Sequence, residues 1–163
     1  MDLNDVDFGA PKAGPSKWAS CVRVIHPLQA TTTWVEDLPQ NEAAFSICLV
    51  QFSARAEDEY HVVIGTAVDL QLKPRQLGGG GRLRTYRFVE EFTRLELVHV
   101  TIVEEVPHAI AAFQGRVAVG IGRLLRLYDL GKKKLLRKCE SKVQFSHLLI
   151  VSRSSAKKLC GEI

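Results

Sequence analysis

Short apolar stretches separated by turn residues make up the chain from residue 18 onward. The stretch YHVVIGTAV at residues 60–68 is apolar almost throughout, whereas RLELVHVT at residues 94–101 alternates apolar and polar side chains. A continuous apolar run of strand length is typical of a strand buried on both faces, and alternation is typical of a strand with one solvated face. Because no stretch carries a helix-length apolar face, the pattern predicts strands and no helix.

Nine or ten short strands are predicted, joined by turns that glycine and proline mark. Strands spaced ~8–12 residues apart are typical of an all-β sandwich, barrel or propeller. Four strands fall within residues 45–101 and four within residues 109–139, and a four-stranded up-and-down sheet is one propeller blade. We therefore expect an all-β fold, a partial WD-type β-propeller of about two four-stranded blades plus extra strands. The predicted strands are residues 18–25, 31–38, 44–53, 60–68, 82–89, 94–101, 108–113, 116–121, 123–130 and 133–139.

The middle of the chain is predicted to contain a loop followed by a strand whose register is undecided. Residues 72–81 include four consecutive glycines and are predicted to form a loop. Residues 82–89, RLRTYRFV, alternate as a strand does. However, Arg82, Arg84 and Arg87 place charges on both sides of that strand, which leaves its register undecided.

Length and composition are those of one ordinary globular domain. The chain has 163 residues, of which 46% are hydrophobic and 25% are charged. Residues 1–17, with several Gly and Pro, are predicted to be a flexible N-terminal lead-in, and residues 18–142 to be the partial propeller. No run approaches the ~18 apolar residues of a membrane span, and the acidic N-terminus lacks the apolar core of a signal peptide, so no membrane partner is expected.

The two ends of the chain differ in charge. Residues 1–113 contain 10 Lys and Arg and 15 Asp and Glu, a net charge of −5, whereas residues 114–163 contain 12 and 3, a net charge of +9. A basic segment attracts nucleic-acid phosphates, but it also serves as a solvated sheet face, and lysines at a hairpin turn protect sheet edges from mispairing. The candidate basic contact surface consists of Arg116, Arg123, Arg126, Lys132, Lys133, Lys134, Arg137 and Lys138.

No group of residues matches an active site, a cofactor site or a metal site. The stretch GIGRLL at residues 120–125 lacks the third glycine and the following helix of a dinucleotide fingerprint, and residues 78–81 lack the Lys-Ser/Thr of a phosphate loop. The five histidines show no metal-ligand spacing. The cysteines are widely spaced, as expected of reduced thiols rather than of a disulfide framework: Cys21, Cys48, Cys139 and Cys160. We therefore expect a protein that is not an enzyme.

Several segments carry a resemblance to a known family. They are FGAPKAG (8–14), KWAS (17–20), QNEAAFS (40–46), VEEVP (103–107), FQGRV (113–117) and LLRLYDLGKKKLLRKCE (124–140). The chain resembles the family that includes the large subunits of the cleavage and polyadenylation specificity factor and of the UV-damaged DNA-binding protein. The last segment favours the splicing branch of this family, which belongs to the splicing factor 3b complex.

The resemblance implies a stretch of the C-terminal β-propeller of a large multi-propeller scaffold. Such a scaffold is nuclear and non-enzymatic, has no cofactor, and binds the other subunits of the splicing factor 3b complex in the U2 small nuclear ribonucleoprotein that recognises the branch site. An indirect or weak RNA contact is compatible with that role. The alternative is a nucleic-acid-binding propeller protein of the same family, in DNA repair or mRNA 3′-end processing, that uses the basic C-terminal third.

The resemblance is expected to end after Lys142. Residues 143–163, VQFSHLLIVSRSSAKKLCGEI, are interpreted as a divergent C-terminal tail. Since a propeller of this family continues with further strands, we expect an incomplete propeller, from a truncated gene model, read-through into an intron or a degenerate copy. Two blades alone are expected to expose the apolar faces of residues 62–64 and 117–121, which makes an isolated chain marginally stable or prone to aggregation.

Overall fold

All regular structure in the described part of the chain is β-strand. A computed structural model describes residues 12–39, 41–56 and 58–142. The lead-in predicted for residues 1–17 is described only from residue 12, and the predicted tail lies outside the described residues. The strands are β1 (Cys21–His26), β2 (Thr31–Asp37), β3 (Glu42–Gln51), β4 (Tyr60–Val68), β5 (Leu70–Leu72), β6 (Arg75–Leu77), β7 (Gly81–Val89), β8 (Arg94–Val103), β9 (Pro107–Phe113), β10 (Arg116–Ile121), β11 (Leu124–Leu130) and β12 (Leu135–Lys142).

Eight of these strands form two four-stranded antiparallel sheets. The first blade has the order β3-β4-β7-β8 and the second has the order β9-β10-β11-β12, so each sheet follows the chain as an up-and-down meander. The strands β1 and β2 pair with each other as a separate hairpin. The predicted all-β fold, with two blades and extra strands, is therefore confirmed, and the two sheets do not close into a ring.

The main core lies between the two blades. Val63 and Leu83 of the first blade face Val117 and Val119 of the second, and all four side chains are fully buried. Tyr128 of β11 joins the same cluster. Because alternate residues of each strand point into this layer, the two sheets pack face to face like neighbouring propeller blades.

The other face of the first blade is partly covered by the β1–β2 hairpin. Val62, Ile64 and Tyr86 pack there against Val22 and Trp34, whose ring centroid lies 6.3 Å from that of Tyr86. This explains why residues 60–68 read as a continuous apolar run, since β4 is covered on both faces. The expected exposure of residues 62–64 and 117–121 is wrong. Val62 and Ile64 pack under the hairpin, whereas Val63 and the side chains of Val117, Val119 and Ile121 are buried in the core between the two blades.

The predicted loop at residues 72–81 is also corrected. Leu70–Leu72 and Arg75–Leu77 pair as a two-stranded ribbon that projects between β4 and β7. The glycines that follow lie against the first blade, where Gly79 N–H donates to the Val68 carbonyl. A Cβ on Gly81 would lie 2.1 Å from the carbonyl oxygen of Glu105, so close backbone approach requires glycine there.

The register of β7 places one of its arginines in the interior. Arg84 lies opposite Ile64 of β4 and is almost fully buried, where it donates from Nε and Nη2 to the two carboxylate oxygens of Glu42 at 2.8 and 2.7 Å. Thr66 Oγ1 also donates to the Glu42 carboxylate, and Arg82 Nη1 lies 3.5 Å from Glu42 Oε2. The buried charge is thus paired with a carboxylate, as a charge in a sheet interior must be.

Candidate interaction surfaces

One exposed apolar surface lies on β3 of the first blade. Ile47 and Leu49 of β3 are 66% and 54% exposed, although they lie opposite the buried Ile64 and Val62 of β4. Since paired residues project from the same face of a sheet, these four side chains share one face. The β1–β2 hairpin therefore covers the β4 part of this face and leaves the β3 part open to solvent.

The strand that carries these exposed side chains is also an edge strand. Within the described residues, β3 pairs with β4 alone, and its second edge has no strand partner. An edge strand presents backbone N–H and C=O groups that pair with another strand. We call Ile47, Leu49 and this edge the open strip of β3, which offers both apolar contact and backbone hydrogen bonds.

The eight candidate basic residues do not form one uniform surface. They lie on β10, β11 and β12 and in the two turns that join these strands. Arg126 is the exception among them, because its side chain is only 6% exposed. Its guanidinium donates to Glu104 at 2.6 and 3.0 Å and to Glu140 at 2.6 Å. Arg126 is therefore neutralised by two carboxylates and holds the second blade to the turn before β9.

This three-residue cluster shifts the pKa of each member. The hydrogen bond from Arg126 holds the pKa of the Glu104 carboxyl below its ordinary value, and it does the same for Glu140. The hydrogen bond to Glu104 in turn raises the pKa of the Arg126 guanidinium further. All three groups stay charged at neutral pH.

Three further candidates lie close to acidic side chains. Arg116 Nε and Lys138 Nζ lie 4.0 and 3.9 Å from Asp129 Oδ2, on opposite sides of the same carboxylate. Arg137 Nη1 lies 3.1 Å from Glu140 Oε2. Each of these side chains is about half exposed, so the pairs are weak and leave the cations open to solvent.

The remaining candidates are exposed and have no ion-pair partner among the described residues. Arg123 lies in the β10–β11 turn beside a cavity of about 640 Å³ that Arg75, Glu105 and His108 also line. The three other cations, Lys132, Lys133 and Lys134, occupy the β11–β12 turn, as predicted. The sequence-predicted surface thus divides into four open cations, three loosely paired ones and one buried arginine.

Two side-chain clusters were not identified from the sequence. One is the buried Glu42–Arg84 pair, whose members lie 42 residues apart and so leave no local signal. The other is an aromatic group at the β7–β8 hairpin formed by Tyr60, Phe88 and Phe92. The sequence signal for it was an aromatic residue within a predicted hairpin connection, residues 90–93.

No group of three or more His, Cys, Asp or Glu side chains suited to a metal ion occurs in residues 12–39, 41–56 and 58–142. Nor do these ranges include a helix long and apolar enough to cross a membrane.

Comparison with known proteins decides the family. Residues 19–160 match the family described as the CPSF A subunit region. The chain belongs to this family. The match confirms the resemblance seen in the sequence, and it runs past residue 142, where we expected that resemblance to end.

Several relatives of this chain have names that identify them as splicing proteins. It is 55% identical over 141 residues to Splicing factor 3B subunit 3 of Danio rerio, which covers 86% of this chain. It is 50% identical over 142 residues to Pre-mRNA-splicing factor RSE1 of Mycosarcoma maydis, and 50% identical over 143 residues to Spliceosome-associated protein 130 A of Arabidopsis thaliana, with 87% and 86% of this chain covered. The chain spans 11–12% of the length of these relatives.

Proposed function

We propose that this chain supplies two blades of a β-propeller scaffold in a nuclear pre-mRNA splicing factor. In this role it binds protein partners, the other subunits of the splicing factor 3b complex, during branch-site recognition, and it catalyses no reaction. The names of its relatives support splicing as the process. The observation that carries the scaffold role is the open strip of β3, an edge strand with two exposed aliphatic side chains on one face.

The open strip suits a protein better than a small ligand. Two aliphatic side chains on a flat strand form no enclosed pocket, whereas a strand added to a sheet edge forms backbone hydrogen bonds along its length and buries alternate side chains. The neighbouring residues Val62 and Ile64 are already covered on this face by side chains of the β1–β2 hairpin. A partner segment with an apolar strand face would continue that covering layer over Ile47 and Leu49.

Affinity purification from nuclear extract tests this proposal. The tagged full chain is compared with the double variant Ile47→Lys/Leu49→Lys, and Leu28→Lys serves as the control because Leu28 is 92% exposed in the β1–β2 turn. We expect subunits of the splicing factor 3b complex, identified by mass spectrometry, to be recovered with the wild type and the control and to be lost with the double variant. Equal recovery with all three chains, or recovery of none of these subunits, would overturn the proposal.

Direct nucleic-acid binding is the second candidate function. The observation that favours it is the set of exposed cations without an ion-pair partner in the described ranges, Arg123 and Lys132, Lys133 and Lys134. If all four contact phosphates of a single strand, the logarithm of the affinity should fall with the logarithm of the salt concentration with a slope of roughly −3.

A salt titration with a single-stranded RNA oligonucleotide distinguishes this candidate from the scaffold role. The triple variant Lys132→Gln/Lys133→Gln/Lys134→Gln should lower the affinity for RNA and make the salt dependence less steep. The control is Lys73→Gln, at an exposed lysine in the turn of the β5–β6 ribbon, which should change neither quantity. Absence of RNA binding at low salt would remove this candidate and leave the protein-scaffold role untouched.

A further inference from the structure

The turn between β7 and β8 has an unusual backbone. Glu90, Glu91 and Phe92 have φ angles of 51°, 54° and 67°, so three consecutive residues other than glycine adopt the left-handed conformation. Their Cβ atoms make this conformation unfavourable, and such residues persist only where the surrounding structure holds them. The strained turn therefore has to be held in place by its neighbours.

Two threonines hold the turn. Thr93 donates from both its N–H and its Oγ1 to the carbonyl oxygen of Glu90, at 3.1 and 2.6 Å. Thr33 Oγ1, on the neighbouring β1–β2 hairpin, donates to the carbonyl oxygen of Thr93 at 2.8 Å. The turn is thus closed by its own hydrogen bonds and fastened to the layer that covers the first blade.

The result of this conformation is an exposed aromatic group, which we call the aromatic tip. The ring centroid of Phe92 lies 5.3 Å from that of Phe88 and 5.8 Å from that of Tyr60, with interplanar angles of 52° and 59°. Phe92 is nevertheless 53% exposed. Phe92 is therefore the solvent-accessible ring of the group, and an aromatic ring has a negative π-face that attracts cations.

Acidic side chains surround the aromatic tip. Glu90 and Glu91 directly precede Phe92 and are exposed. Since β4 pairs with β7 so that His61 lies opposite Arg87, the exposed Asp58 lies across from the start of the turn. Of the nearby cations, Arg94 pairs with Glu90 at 3.2 Å and Arg87 pairs with Glu96 at 2.6 Å. Glu91 and Asp58 have no ion-pair partner among the described residues. Glu91 and Asp58 are therefore open carboxylates near the exposed ring of Phe92, and we call them the negative rim of the tip.

We propose that the aromatic tip binds the guanidinium group of an arginine in a basic segment of a protein partner. A cation over an aromatic face is attracted by the ring quadrupole, and carboxylates at the rim add charge complementarity. The same rim repels phosphates, so the tip disfavours RNA even though aromatic rings often stack on bases. This contact uses Tyr60, Phe88 and Phe92 and neither Ile47 nor Leu49 of the open strip of β3, so the two surfaces can be tested separately.

Calorimetric titration with a defined peptide tests the proposal on the full chain. The probe is acetyl-(Gly-Arg)4-amide, and its citrulline analogue is the neutral match. We expect the arginine peptide to bind and the citrulline peptide to bind much more weakly. Phe92→Leu, which keeps an apolar side chain but removes the ring, should weaken binding of the arginine peptide about two- to fivefold, the factor of one exposed cation–π contact.

Three control measurements keep the test specific. Glu91→Gln should weaken binding and reduce its salt dependence, because it removes one rim charge and leaves the rings in place. Phe45→Leu, at the opposite end of β3, should have no effect. The proposal would be overturned by equal binding of the citrulline peptide, by unchanged binding in Phe92→Leu, by an equal loss in Phe45→Leu, or by binding of an eight-nucleotide oligouridylate that depends on Phe92.

Discussion

Removing the charge of Glu42 is expected to destabilise the chain more than any exposed charge substitution. The Glu42 side chain is 0% exposed and accepts two hydrogen bonds from Arg84 and one from Thr66. In Glu42→Gln, Arg84 remains buried and charged without a carboxylate. Breaking a buried ion pair by changing one partner costs ~3–5 kcal/mol, and even 3 kcal/mol corresponds to a factor of about 150 in the unfolding equilibrium.

An exposed ion pair of the same sheet provides the matched control. Arg87 Nη2 lies 2.6 Å from Glu96 Oε2, but the two side chains are 45% and 56% exposed. For Glu96→Gln we expect a loss of ~0–1 kcal/mol, since solvent screens such pairs. Burial, and not the distance between the charged atoms, therefore sets the difference of at least about 2 kcal/mol between the two variants.

Urea unfolding monitored by tryptophan fluorescence measures this difference. Trp34 contacts Tyr86, two residues from Arg84 on β7, so its emission responds to loss of this layer. The double variant Glu42→Leu/Arg84→Met should recover most of the loss, because an apolar pair needs no compensating charge. If Glu42→Gln lost no more stability than Glu96→Gln, the buried pair would contribute nothing net and the reasoning would be refuted.

The same carboxylate predicts a response to acid. Burial alone would raise the pKa of Glu42, but hydrogen bonds from Arg84 and Thr66 and the charges of Arg84 and Arg82 outweigh it, and the pKa falls below 4.5. Its contribution to stability is therefore complete above about pH 4.5 and disappears as the pH falls through the lower, folded-state value. Urea unfolding between pH 6 and 3 should show a steeper loss in the wild type than in Glu42→Gln.

Three further predictions concern single side chains. Glu91→Gly should raise the unfolding free energy by about 1 kcal/mol, because glycine adopts a positive φ without strain; a lower urea midpoint would contradict this. Burial lowers the pKa of His61 below 6.5, so protonation below about pH 6.5 favours the unfolded chain. The melting temperature should therefore fall as the pH drops from 7.5 to 5.5, and His61→Phe should remove this contribution to the fall. Burial raises the pKa of the Cys48 thiol, so iodoacetamide at pH 8 should modify Cys48 more slowly than the exposed Cys139, and equal rates would contradict this.

Local patterns were sufficient to predict the blades and their turns. The apolar residues before Gly131 and the lysines after it predict the β11–β12 hairpin. Gly122 predicts the preceding turn, and its φ there is 57°. The four-strand grouping follows from strand spacing, because consecutive short strands joined by tight turns pair with their neighbours in the chain. These features depend on residues that lie close together in the sequence.

Features that depend on contacts between distant residues were not predictable. The basic charge of residues 114–163 predicts Arg126 as part of a contact surface, yet Glu104 and Glu140, 22 and 14 residues away, pair with its buried guanidinium. Val62 and Ile64 are buried because the β1–β2 hairpin covers them, and Val63 is buried because the second blade covers it. The β5–β6 ribbon was missed because three-residue strands beside a glycine run resemble a loop. The burial of Arg126 and of residues 62–64 reflects packing between elements, which strand periodicity does not encode, whereas the ribbon is a local hairpin too short to show a strand pattern.

Site-specific cross-linking tests the central claim most directly. A photoreactive benzoylphenylalanine at position 47, in the open strip of β3, is activated in nuclear extract, and the same residue at position 28 in the exposed β1–β2 turn gives the background. We predict that position 47 forms cross-links to a subunit of the splicing factor 3b complex, identified by mass spectrometry, well above the yield at position 28. Equal yields at the two positions, or cross-links at position 47 only to RNA or to copies of this chain, would contradict the scaffold role.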